Sequence, residues 1–394
     1  MFQDFSAAFE KYKDTSLVNL NNGTLGLCPS VVIDQQKAEL GTFEHNTSTG
    51  YGAAWARLWA LQERLGKFIK ARPQDLFLRP NVTLALNEII MGLQLPADSE
   101  ILSTSFEYGA VVNILHFKAR KDRLSVRFIN ADFMYDEISA DEAVSKIVSQ
   151  ISDKTRVFVV SHVFTGNGLT MPLAKLAAAL RAKNVLLVVD GAHAPGLLDL
   201  NFTNELQNVD YYAGNLHKWF MGPKGTAFGW VNPLLQDQMQ PAYGSWTTEE
   251  KILPGMGAYC DHPFAARMLW SHSMSYASLY GLESCFDFWD QTGPDLIRTE
   301  IQKRMNYLED GLNQFKIKSL KDRHSDIASS LLCYKVGSFP GIEFDGLFVR
   351  HSKPQLQVGL PRVPGFPVLR LTPHIHNTKD ELDSAIQVLA GFKS

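Results

Sequence analysis

The chain has 394 residues, more than one hydrophobic core usually serves, so two lobes are expected. Its 38 basic and 41 acidic residues leave a formal net charge of -3, which gives no electrostatic reason for nucleic acid or an anionic membrane as partner. Hydrophobic residues make up 45% and charged residues 20%, ordinary for a soluble globular protein, and the four scattered cysteines (Cys28, Cys260, Cys285 and Cys333) suit neither a disulfide framework nor a zinc site.

Residues 1–12 carry Asp4 and Glu10 among polar side chains, without the basic start and apolar run of a signal peptide. No apolar stretch reaches the roughly 20 residues of a membrane span, so the cytoplasm is the expected location. Residues 79–93 read as a turn leading into a helix, with Leu84, Ile89, Ile90 and Leu93 on one stripe. Thr83 stands at its N-terminus, where free N–H groups and the helix dipole favour an anion. Residues 100–103 and 125–129 read as short strands. Residues 157–163 and 186–189 are continuous apolar runs, the pattern of strands buried on both faces, and residues 172–181 between them have helical periodicity. Two more strands are predicted over 211–213 and 227–231. The alternation predicts an α/β architecture, a parallel or mixed sheet covered by helices.

Beyond about residue 275 the pattern changes. Residues 278–289 and 296–315 read as long helices parted by Gly293-Pro294, residues 331–336 and 369–372 as strands, and residues 379–392 as a last helix. This describes a smaller C-terminal lobe. The proline-rich stretch 354–367 is predicted to be a loop near the cleft.

Two motifs carry chemistry. In VVDGAHAPG an apolar strand delivers Asp190 to its carboxyl end, where open α/β sheets bind ligands, and His193 follows three residues later. In NLHKW, Lys218 stands among His217, Trp219, Phe220 and Met221, surroundings that lower an amine's basicity. A carboxylate to protonate a pyridine nitrogen and a lysine to hold an aldehyde are the two fixed points of a pyridoxal-phosphate site. GPKG at residues 222–225 has no following helix and reads as a turn.

With the anion-binding helix these motifs stand in an order that resembles the class V aminotransferase family, and within it the isopenicillin N epimerase-like branch. NNGTLGLCP, NVTLALN, EYGAVVN, HVFTGNG, DGAHAPG, NLHKW and LRLTPHIHNT carry the resemblance along nearly the whole chain. It implies an aspartate-aminotransferase-like fold. Residues 1–20 would pack with the small domain, 21–280 would form the large cofactor-binding domain with a mostly parallel seven-stranded sheet, and 281–394 a small α+β domain. It implies pyridoxal 5'-phosphate held by Lys218, with Asp190 on the ring nitrogen and His193 and Thr165 near the 3′-oxygen. Tyr108 would stack over the ring, and Val82, Thr83, Asn215 and His217 would hold the phosphate. Arg370, helped by Asn22, would grip the substrate carboxylate. A homodimer with shared sites is implied as well. Where many members have Gly-Thr-Arg-Asp, this chain has His272-Ser273-Met274-Ser275, so that Ser273 alone retains a hydroxyl for the neighbouring subunit's phosphate and His272 becomes a pocket candidate. Trp246, Tyr259, His262 and Phe264 fall where the family's pocket and interface loops lie.

The expected activity is amino-acid chemistry through a Cα carbanion, with β-elimination from a cysteine conjugate or its sulfoxide preferred and epimerisation or transamination as alternatives. Cysteine desulfuration is disfavoured because residues 337–369 contain no cysteine. A binding protein that kept the fold without turnover is the second reading. A metallohydrolase built on His162, Asp190, His193 and His217 is the third, and it lacks an HExxH motif.

Overall fold

The computed structural model describes residues 2–245, 247–248, 256–269, 274–321 and 327–392. The chain opens with a one-turn helix α1 (Ser6–Phe9), a strand β1 (Leu17–Asn19) and two long helices, α2 (Ser30–His45) and α3 (Thr47–Ile69). The large sheet and its covering helices follow in alternation. They are β2 (Leu76–Arg79), α4 (Val82–Gly92), β3 (Glu100–Thr104), α5 (Gly109–Asp122), β4 (Ser125–Ile129), α6 (Ala140–Val148), β5 (Thr155–Ser161), α7 (Leu173–Arg181), β6 (Leu186–Asp190), β7 (Tyr211–Asn215) and β8 (Ala227–Val231).

Strands β2 to β8 form one seven-stranded sheet in the order β2-β8-β7-β6-β5-β3-β4. Only β8 runs against its neighbours; the other pairings are parallel, as the sequence predicted. The continuous apolar runs are explained by burial on both faces. On β5, Val157 and Val159 pack toward α4 and α5 with Ile89 and Ile114, while Phe158 and Val160 pack on the opposite face with Leu61 and Leu176. Chain order reverses between β3 and β5, because β4 lies beyond β3 on one side and β5 and β6 continue on the other. The crevice at the carboxyl ends of the strands is therefore where a ligand is expected.

A short helix α8 (Pro263–Arg267) precedes two long ones, α9 (Tyr276–Thr292) and α10 (Pro294–Gln314). Helix α10 buries Ile297, Ile301, Met305, Leu308 and Leu312 along one stripe. The remainder is β9 (Leu332–Lys335), β10 (Phe344–Asp345), β11 (Phe348–Val349), β12 (Gln355–Gln357), β13 (Arg362–Val363), β14 (Phe366–Leu371) and α11 (Lys379–Ala390). Strands β13, β14 and β9 form an antiparallel sheet, and β1 joins β12, β11 and β10 in another. The start of the chain is bound to this lobe: Arg304 donates to the Gln3 carbonyl at 2.8 Å, and Lys13 pairs with Glu381 at 2.6 Å.

The proline-rich stretch 354–367 departs from its predicted loop. It carries β12, β13 and the start of β14. Proline is tolerated there because its missing N–H falls at short, irregular pairings rather than inside a long ladder. No helix among the described residues is long and apolar enough to cross a membrane.

Candidate active site

The strand ends converge on a cavity of about 510 Å³, a size suited to a cofactor and a small substrate. Its lining includes Thr83 at the start of α4, Tyr108 before α5, Asp190 at the end of β6, Asn215, His217 and Lys218 at and after β7, and Arg370 on β14. Thr83 and Arg370, from opposite ends of the chain, thus face one space, as the sequence reading required.

The centre of the site is a small network around His193. Trp219 Nε1 donates to His193 Nδ1 at 3.2 Å, which leaves the proton on Nε2. From Nε2, His193 reaches Thr165 Oγ1 at 2.5 Å and Lys218 Nζ at 3.4 Å. Burial, with Lys218 and Arg370 adding repulsion, holds the imidazole well below its ordinary range, so it is neutral. Burial pushes Lys218 down to about 7; Arg370 acts in the same direction and Asp190 opposes. The amine is therefore largely available as a nucleophile near neutral pH. Asp190 accepts the Ala192 N–H at 2.9 Å through Oδ1, and burial raises its carboxyl.

At the far end the wall is polar and largely neutral. Helix α4 is capped by Asn81, whose side chain accepts the Leu84 N–H at 2.9 Å. Asn215 Oδ1 accepts the Val82 N–H at 3.0 Å, tying β7 to the first turn of the helix. His217 Nδ1 is buried without a hydrogen-bond partner, and burial first, then Lys218 and Lys224, push this imidazole down to about 4. An unpartnered buried nitrogen beside a helix N-terminus and a threonine hydroxyl is a donor set that fits a phosphate.

Arg370 is buried with its guanidinium on neutral acceptors: the Thr165 carbonyl at 3.0 Å, Thr24 Oγ1 at 2.9 Å and Asn21 Oδ1 at 3.4 Å. Among the described residues no carboxylate is paired with it, and its Nε has no hydrogen-bond partner. Two glycines flank the group. A Cβ on Gly359 would stand 2.9 Å from Arg370 Nε, and one on Gly23 would stand 3.2 Å from Cζ. A buried cation without an anion is a receptor for one.

Several expected residues stand elsewhere. Asn22 does not line the cavity: its amide donates to the Thr372 carbonyl at 2.9 Å, and its oxygen lies 2.9 Å from His376 Nε2. The turn at this point exposes Gly23 and Thr24 to the cavity instead, and Asn21 and Thr24 meet Arg370. Tyr259, His262 and Phe264 are packing residues. Tyr259 donates to Gln62 Oε1 at 2.5 Å, His262 stacks on Trp59 with centroids 4.9 Å apart, and Phe264 joins the apolar layer with Met268. Trp246, His272 and Ser273 lie outside the described residues. Sequence reasoning missed Leu347, Leu360, Pro361 and Arg362, which place the small lobe along the cavity mouth; the nearness of the proline-rich stretch was the only signal for them. It also missed Glu107, buried behind Tyr108.

The comparisons with known proteins agree with this geometry. The family model "Aminotransferase class-V" matches residues 18–343. The chain is 28% identical to the isopenicillin N epimerase of Streptomyces clavuligerus over 96% of both chains. It is 23% identical to a cysteine desulfurase of Serratia proteamaculans, covering 94% of this chain and 92% of that one. Among solved structures, the complex between the cystine C-S lyase C-DES and its product cysteine persulfide superposes with a TM-score of 0.82 at 21% identity, over 98% of this chain and 100% of that chain. A C-DES mutant with glycine covalently linked to the PLP cofactor gives a TM-score of 0.85, also at 21% identity, over 98% of this chain and 99% of that chain. The chain therefore belongs to the class V aminotransferase family and is a pyridoxal-phosphate enzyme.

Proposed function

We propose that the enzyme catalyses β-elimination from an S-substituted cysteine or its sulfoxide. For the thioether, the C–S bond breaks and one water is consumed; the products are a thiol, pyruvate and ammonia. The observation that carries this reading is that, of the amine and imidazole groups lining the cavity among the described residues, Lys218 is the one placed to exchange a proton near neutrality. Lys218 has an amine near neutrality, whereas His193 is held by Trp219 and Thr165, and His217 is pushed too low to take up a proton. No thiol lines the cavity among the described residues. Cys333 stands in register with Arg370 on the neighbouring strand, and burial pushes its thiol up to about 12, far from a nucleophile's range. That argues against desulfuration.

Pyridoxal phosphate, when bound, supplies the electron sink that makes a Cα proton acidic. In this reading Lys218 would hold the cofactor's aldehyde at rest, and its Nζ would be the base that takes the Cα proton. Asp190 holds a proton on the ring nitrogen. Arg370 clamps the substrate carboxylate and so orients Cα toward Lys218. Tyr108 is 52% exposed at the mouth, where its phenol suits delivery of a proton to the departing sulfur. Thr83, His217 and the α4 N-terminus would hold the phosphate, with Val82 and Asn215 bracing that turn.

The test is a panel of S-substituted cysteines and their sulfoxides assayed for pyruvate, ammonia and thiol. Stoichiometric release of pyruvate is expected. Epimerisation is the second reading, favoured by the 28% identity to isopenicillin N epimerase over 96% of each chain. D/L inversion without pyruvate would replace the first reading with it.

We further propose a homodimer with sites at the interface. Val31 and Leu40 on α2 and Phe117 on α5 are more than half exposed, apolar surface that a second copy would cover. Light scattering is expected to give twice the mass of the chain at micromolar concentration; a stable, active monomer would rule the dimer out.

A further inference from the structure

Glu107 precedes Tyr108 in the turn between β3 and α5, and it is buried. Both of its carboxyl oxygens are engaged. Thr104 Oγ1 donates to Oε1 at 2.7 Å, and the Ser161 N–H and hydroxyl donate to Oε2 at 3.0 and 2.6 Å. Thr104 and Ser161 are the last residues of two adjacent parallel strands, β3 and β5. Ser161 also stands in register beside Asp190 on β6. The charged group whose field Glu107 feels is Asp190, of the same sign. A glutamate in a strand-to-helix turn is ordinarily solvated; burying one without a cation costs free energy, offset here only by the three donors.

We propose that Glu107 is a positioning residue of the site: it ties the ends of β3 and β5 together, fixes the turn that presents Tyr108, and through its own charge sets how firmly Asp190 holds the proton on the cofactor's ring nitrogen. The last part rests on the proposed role of Asp190.

The surroundings leave Glu107 free to act this way. His162, following β5, is pushed down to about 3 by burial, and its Nδ1 lies 2.9 Å from the Tyr212 hydroxyl on β7. Tyr212 is pushed well above its ordinary range by its own burial first and by Asp190 second. Both stay neutral near physiological pH. Lys218 acts on Asp190, Arg370 acts on Lys218, and Tyr108 lines the cavity. Glu107 itself is pushed up to about 8, by burial first, with Asp190 adding to the rise and the Ser161 and Thr104 hydrogen bonds opposing it. Below that pH the carboxyl is neutral and Asp190 alone faces the ring nitrogen. Above it a second negative charge adds to that of Asp190, protonated forms of the bound cofactor would be favoured, and its visible band would titrate at higher pH. The two ionisations are coupled, so the curve broadens.

The experiment is a pH titration of the visible absorption band of the purified holoenzyme, with thermal melting to check the fold. In Glu107→Gln the band is expected to titrate in a single step, with its midpoint about one pH unit below the broader wild-type curve. Identical midpoint and breadth would overturn the electrostatic part. Glu107→Ala, which loses every acceptor, is expected to retain less cofactor on dialysis than Glu107→Gln; equal retention would overturn the positioning part. Ser161→Ala is an independent arm. It removes a hydroxyl that favours the charged carboxyl, so the alkaline part of the curve is expected to move up, and no movement counts against the proposal. Asp190→Asn separates the two readings. If it leaves the titration unchanged, the reading of Asp190 fails; if it shifts the curve while Glu107→Gln does not, the inference about Glu107 fails alone.

Discussion

Replacing Lys218 with alanine is expected to lower turnover by about ten-thousand-fold or more, because a covalent anchor and a general base are lost together. Melting should change little, since among the described residues the amine's hydrogen-bond contact is the 3.4 Å one to His193, and its burial disfavours the charged form. Borohydride treatment of the wild-type holoenzyme should fix the cofactor on the peptide that contains Lys218, and a label on another lysine would refute the assignment. The amine also predicts a pH dependence. Burial lowers its pKa to about 7, so the uncharged, attacking form gains population as pH rises through neutrality. The rate of cofactor uptake by apoenzyme should therefore climb between roughly pH 6 and 8 and level off above. A rate that is flat over this range, or still climbing toward the pKa of a free lysine, would show that Lys218 is not desolvated in solution.

Arg370→Ala should act on the substrate rather than on the cofactor. A buried guanidinium held only by a carbonyl and two side-chain oxygens is set up to receive a carboxylate. Losing that charge-assisted contact costs about 2–4 kcal/mol, or roughly 30- to 700-fold in kcat/KM for the amino acid. Cofactor affinity should change far less. Gly359→Ala offers a milder version of the same experiment, because the added methyl would press on Arg370 Nε from 2.9 Å while leaving the charge in place. Kinetics unchanged in Arg370→Ala would remove this residue from the pocket.

The cofactor site was legible because Asp190 and Lys218 both follow apolar strands buried on both faces. Leu186, Leu187, Val188 and Val189 form one short run too brief for a helix, and it ends with Asp190 at the carboxyl edge of the sheet. The long helices after β1 were not legible. Helix α2 buries only Val32 and Glu39 along 16 residues, so its sequence shows no stripe. Asn22 was misjudged for a local reason: a one-residue difference within a turn decides whether a side chain faces the cavity or the His376 ring, and hydropathy carries no trace of that choice. Glu107 was missed because a charged residue between a strand and a helix reads as solvated unless its donors, Thr104 and Ser161, are known to be neighbours; Ser161 is 54 positions away. The resemblance put Tyr259 and Phe264 where the family's pocket and interface loops lie, and their size and apolarity took them into the core.

The two ends of the cavity differ in how far along the chain their parts are drawn from. The Val82–Asn215 contact spans 133 positions, and the proposed cofactor anchors Asp190 and Lys218 precede residue 219, whereas Arg370 meets Thr24 across 346 positions. During synthesis Asp190, Lys218 and the first turn of α4 all leave the ribosome well before Arg370, the proposed carboxylate clamp, is made. The clamp closes only when β1 and the turn after it are joined by the last quarter of the chain, a long and entropically costly loop to close. A chain cut short before β14 would keep Thr83, Asp190, Asn215, His217 and Lys218 and lack Arg370. The order in which the polypeptide is made thus runs from the proposed cofactor wall to the proposed carboxylate clamp.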